Sequence, residues 1–98
     1  MFRRGQFRDV VQRQLDLFAA DEADGLLVEV AELKRQYDAA DREDSEEAYG
    51  DYMDAVDGVK DALAEMRDQF AATLDEAAAE EYESAFDNAA RRRWRWLG

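Results

Sequence analysis

SEEAYGDYMDAVDGVKDALAEMRDQFAAT, residues 45–73, keeps its apolar side chains on a seven-residue period. With Tyr49 at position a, the a sites are Tyr49, Val56, Leu63 and Phe70, and the d sites are Tyr52, Val59, Met66 and Thr73. Four heptads in one phase predict a single long helix, about 43 Å at roughly 1.5 Å per residue. Ala48, Ala55 and Ala62 occupy the g sites and give the stripe an edge of small residues that a second helix could approach closely. Glu47, Asp51, Asp54, Asp61, Glu65 and Asp68 lie on the opposite face. Gly50 and Gly58 fall at outward positions, so the phase continues through them. Each costs about 1 kcal/mol relative to Ala.

Outward from this spine, the rest of the chain also reads as helix. Proline is absent, and Ala, Glu, Leu and Arg are abundant, a composition that favours helices over strands. Phe7, Val10, Val11, Leu15 and Phe18 share one face over residues 6–20, with Gln14 inside that face. Leu26, Val30, Leu33, Tyr37 and Ala40 follow an amphipathic 4,3,4,3 spacing over 25–40. Asp21-Glu-Ala-Asp-Gly25 supplies capping acids and a glycine between the two. Residues 41–45 are polar, with Asp44 or Ser45 expected to cap the long helix. Thr73-Leu-Asp-Glu76 has the form of a capping box and predicts a last helix over about 75–95. In that register Ala78, Tyr82, Ala85, Ala89 and Trp96 face the core, and Trp94 faces water. The expectation is an all-α, antiparallel bundle of four helices (about 6–20, 25–40, 45–72 and 75–95), or of three if 6–40 is continuous. The 98 residues suit one domain with basic N- and C-terminal ends.

That core is thin. Of the 46 hydrophobic residues, 18 are Ala, which leaves room for a partner chain to complete the packing. The net charge of -12 is unevenly spread: residues 14–90 contain 24 acidic and 5 basic side chains, whereas residues 1–13 and 91–98 are both net positive. An acidic body repels nucleic acid and anionic membranes, so contact with either would have to use the ends.

The residues that are missing narrow the chemistry. There is no His and no Cys, Ser occurs only at 45 and 84, and Thr only at 73. The usual general base, thiol nucleophile and soft metal ligands are therefore lacking. Di-metal sites in helical bundles draw on inward Glu-x-x-His pairs, whereas the acids here lie opposite the apolar stripes. Asp38 to Glu47 does not follow the ligand order of a calcium loop. The carboxylates read as a solvated surface. The expectation is a protein that is not an enzyme and uses no metal, cofactor or small-molecule substrate. The positively charged start has no apolar core region, so it does not read as a secretory signal, and a cytoplasmic location is expected. Eleven Arg against two Lys, with abundant Ala, suggests a GC-rich bacterial genome.

The ends carry the sharpest local features. ArgArgArgTrpArgTrp at 91–96 resembles in composition short Arg/Trp-rich membrane-active peptides, where guanidinium groups pair with phosphate and indoles settle at the lipid interface. The same side chains could contact nucleic acid, or simply complement the negative end of a helix dipole. Arg3, Arg4 and Arg8 sit where a helix dipole disfavours cations, so helix electrostatics does not account for them.

Length and helix content are similar to those of the small helical-hairpin proteins exported by type VII secretion. Those carry a Trp-x-Gly at the central turn and a Tyr-x-x-x-Asp/Glu near the C-terminus. This chain has no Trp-x-Gly, and its Tyr37-x-x-x-Asp41 lies mid-chain. It is not assigned to that group.

Two functional expectations follow. The first is a non-catalytic protein–protein interaction or self-association module, with a homodimer as its simplest form. Its candidate interface is Ala48, Tyr49, Tyr52, Ala55, Val56, Val59, Ala62, Leu63, Met66 and Phe70. The alternative is a binder of anionic membrane surface or nucleic acid through Arg3, Arg4, Arg8, Arg91, Arg92, Arg93, Trp94 and Arg95.

Overall fold

The computed structural model describes residues 5–98; Arg3 and Arg4 lie outside them. Four helices follow in order: α1 (Arg8–Asp21), α2 (Leu26–Ala39), α3 (Ser45–Ala71) and α4 (Glu76–Arg93), with a closing 3-10 turn at Arg95–Leu97. The all-α bundle and its four segments are those predicted, and α3 runs unbroken through Gly50 and Gly58. A side chain at either glycine would meet nothing within 4 Å, as their outward heptad positions require.

The first helix does break, and the break is built from side-chain chemistry. The Phe18 carbonyl accepts from the Glu22 N–H at 2.9 Å and ends α1. The Glu22 carboxylate then turns forward and accepts from the Leu26 N–H at 3.2 Å, satisfying a donor that the start of α2 would otherwise leave free. A Cβ on Gly25 would lie 2.8 Å from that carboxylate oxygen, so glycine leaves the space the cap needs.

The break does not reverse the chain. Phe7 packs edge-on against Tyr82, and Phe18 against Trp94, so α1 runs parallel to α4. Tyr37, near the end of α2, packs on Tyr49 and Tyr52 near the start of α3. α1 and α2 thus lie end to end, and α3 runs back along both. The molecule measures 54 × 22 × 20 Å. The end of α4 lies at the level of Asp16 and Phe18, near the end of α1.

Tyr82 is the centre of the core. It has no exposed surface, its ring centroid lies 4.7 Å from Phe70 and 5.6 Å from Phe7, and its hydroxyl donates to Gln14 Oε1 at 2.7 Å. That bond explains a glutamine on the apolar face of α1, because a buried hydroxyl without a partner is costly. Arg67 joins α3 to α4 by a two-pronged contact with Asp87 at 3.0 and 3.2 Å, and also reaches Asp68 at 2.8 Å. The bonds to Asp68 and Asp87 raise its pKa above the ordinary arginine value. The α3 stripe is used within the chain: Tyr52, Ala55, Val56, Val59 and Leu63 are buried, and Ala48, Ala62, Met66 and Phe70 are half-buried.

Three local expectations are corrected. Thr73 does not cap α4: its hydroxyl donates back to the Phe70 carbonyl at 2.7 Å, while Asp75 Oδ1 accepts from the Ala78 N–H at 2.8 Å. Aspartate there both bonds the free N–H and places negative charge at the helix start. The buried stripe of α4 is Ala78, Tyr82, Phe86 and Ala90, a four-residue spacing that faces α1 and α3 together; Ala85 and Ala89 flank it half-buried. The last helix ends at Arg93, two residues early, because Trp94 turns to an extended conformation (φ -124, ψ 90). That turn resets the register: Trp94 packs on Phe18, Trp96 is half-buried, and Leu97 closes the core.

Candidate functional site

Because α1 and α2 together outrun α4, the two ends of the spine have different company. Toward its C-terminal end α3 is flanked by α4, with Phe70 against Tyr82 and Arg67 against Asp87. The C-terminal Leu97 reaches the level of Lys60 and Leu63. Beyond that level, toward Ser45, α2 is the one helix among the described residues that accompanies α3. The seat that α4 occupies continues there as an open depression of about 390 Å³, lined by Leu27, Val30, Ala31 and Lys34 of α2, Tyr52 of α3, and Trp94 and Trp96.

The lining is apolar apart from Lys34, whose ammonium is held by Asp38 at 2.6 Å. That carboxylate raises the lysine pKa. Aromatic rings extend the depression outward. Tyr37 stacks on Tyr52 with centroids 6.2 Å apart, and Tyr49 lies 5.3 Å from Tyr37. Tyr49, expected in the core as the first a residue, is 47 % exposed. The correction follows from length, since α4 stops before it can cover the first heptad of α3. Large amphipathic rings with little conformational entropy to lose are the side chains that anchor protein interfaces.

The second region joins residues far apart in sequence. Arg8, Gln12, Asn88 and Arg92 line a depression of about 530 Å³ between α1 and α4, together with Gly5, Val11, Ala85 and Ala89. Arg93 is diverted from this basic face: it bonds Asp16 at 2.6 Å and lies 5.2 Å from the Trp94 ring. Arg91 donates to Asn88 Oδ1 at 2.7 Å, and Arg95 is exposed. Of the basic residues expected to act together, the structure thus places Arg8 with Arg92, and assigns Arg93 and Trp94 to packing the tail on α1. The aromatic depression was missed in the sequence. Its only sign there was a heptad stripe longer than the helix available to cover it.

Among the described residues, no group of three or more acidic side chains converges where a metal ion could sit, and no helix is long and apolar enough to cross a membrane. No family model, curated protein or solved structure matches the chain; the functional reading therefore rests on its own geometry.

Proposed function

We propose that this protein is a non-catalytic interaction module that docks a protein chain, from another protein or a second copy of itself, on the α2–α3 arm. One observation carries the reading. The seat of α4 continues past the end of α4 as an apolar, aromatic depression, with half-exposed Tyr49 beyond it. Solvated apolar surface of this kind, next to a tightly packed core, is the usual mark of a docking site. The polar chemistry agrees: Glu22 and Asp75 bond helix starts, Asp38 and Asp87 pair with cations, and the buried Tyr82 hydroxyl is taken by Gln14.

A photocrosslinking side chain at position 49, compared with one at Asp54 on the acidic back of α3, tests this in cells. The expected result is discrete protein adducts from position 49 and none from position 54. Equal labelling, or none at either site, sinks the reading.

A second reading has its own observation: Arg8 and Arg92 share one depression with Gln12 and Asn88. It makes that face a contact for an anionic surface, lipid or nucleic acid, through paired guanidinium groups. Co-sedimentation with anionic vesicles and retardation of DNA should both be lost in an Arg8→Glu, Arg92→Glu variant. Binding that survives the double change removes the Arg8–Arg92 face from consideration.

A further inference from the structure

We infer that the occupant of the α2–α3 depression is an amphipathic helix with basic flanks, supplied by a different protein. The inference rests on the interaction-module reading above and specifies its partner. Continuity with an existing interface argues for a helix. The depression begins where α4 ends, so a second helix placed there would extend the seat in which Tyr82, Phe86 and Ala90 are already buried. Those three residues also state the pattern required, an apolar side chain at every fourth position. Helix-in-groove recognition works through this spacing.

Charge argues for basic flanks. Residues 26–61, which form the arm, carry twelve acidic and four basic side chains, a net charge of -8. Two of the four cations are already engaged by acids one turn away, Lys34 by Asp38 and Arg35 by Glu32. A docked helix therefore meets an apolar floor within a negative field. Lys or Arg on its flanks would speed encounter and select against acidic competitors.

The same charges argue against a second copy. Each helix of this chain is itself net acidic: α1 and α2 at -1, α4 at -2 and α3 at -6. Among the described residues the basic run Arg91–Arg93 is confined to the last turn of α4, so no described helix carries basic flanks along its length.

The test uses the full chain and a defined probe. The probe is a Trp-free synthetic helix with Leu at every fourth position and Lys on both flanks, compared with the same peptide carrying Glu for Lys. The protein has two tryptophans, Trp94 and Trp96, and both line the depression, so their emission reports occupancy. The Lys peptide should give a saturable change, and the Glu peptide should bind at least about tenfold more weakly. Ala31→Arg changes an exposed lining residue at a position compatible with the helix, and should weaken the Lys peptide at least about tenfold by steric and charge conflict. Val28→Arg, an exposed site of the same helix outside the lining, should leave affinity within about twofold. Equal binding of the two peptides, unchanged affinity in Ala31→Arg, or no saturable signal overturns the inference. A dimer in sedimentation that Ala31→Arg abolishes also overturns it, because the occupant is then a second copy, yet the interaction-module reading stands. Failure of crosslinking at position 49 would instead remove both.

Discussion

The half of the molecule built from α1, α4 and the C-terminal stretch of α3 closes over its aromatic residues, whereas the α2–α3 arm buries Tyr52 but leaves Tyr37 partly and Tyr49 half in water. α4 buries four residues and α1 three, but α2, as long as α1, buries only Val30. The composition of the two helices does not explain this. α2 carries three Leu or Val residues in its first turn alone. The difference is the number of neighbours: three helices can enclose a ring from all sides, and two cannot. One half therefore encloses its rings, and the other, although Val56 and Val59 are fully buried in it, still presents apolar surface at Tyr49 and Val28.

The most severe way to test that division is to cut at its centre. Tyr82→Ala should destabilise by about 3–5 kcal/mol, as for other large-to-small core changes, because it empties the space between Phe7, Phe70 and Phe86. Tyr49→Ala in the arm should cost less than about 1 kcal/mol, since half its surface is already solvated. Urea unfolding of both variants measures the contrast. Similar losses would mean that the arm is as tightly integrated as the core.

Local opening probes the division without mutation. Backbone amides in the middle of α2 should exchange at least about tenfold faster than those around Tyr82 and Phe86, because α2 buries only Val30 and packs on α3 alone of the long helices. Hydrogen exchange followed by mass spectrometry reads this directly. The Lys-flanked peptide should slow exchange in α2 and leave α4 unchanged. Uniform protection across α2 and α4 would remove the distinction.

How much of this was legible in the sequence depended on whether a feature was local. The heptads of 45–73 fixed α3 because each helical turn repeats the same instruction. The acids and glycine of 21–25 marked a break because capping is decided within a few residues. The direction of the chain after the break was not legible, since it depends on Phe18 meeting Trp94 and Gln14 meeting Tyr82, contacts between residues nearly a chain length apart. The groove was hidden for the same reason. Tyr49 and Tyr52 are both good core residues by pattern, and only the end of α4 at Arg93 leaves one of them exposed. The tail was misread because a single extended residue, Trp94, shifts everything after it.

Electrostatics distinguishes the halves more gently. Residues 26–61 hold eight of the twelve net negative charges, so self-repulsion should weigh most on the arm. Raising the salt from about 0.05 M to about 1 M shortens the screening length from over 10 Å to about 3 Å. It should raise the unfolding temperature and slow exchange in α2 more than in α4. A fall in stability with salt would mean that attractive pairs such as Arg67–Asp87 outweigh the repulsion.

The smallest expected effect is confined to the packed half and appears only in alkali. Burial raises the Tyr82 hydroxyl above its ordinary value of 10.0, and Gln14 offsets only part of that rise. As pH increases past about 10, the unfolded chain gives up this proton before the folded chain does. The folded state then binds more protons, so stability falls with pH through that window and carries no such slope below it. Part of the tyrosinate absorbance in an alkaline titration should therefore appear together with loss of helix in circular dichroism. Tyr82→Phe should remove that part. If the absorbance that Tyr82→Phe removes develops while the helices persist, Tyr82 is reached by water and the packed half is less closed than its geometry implies.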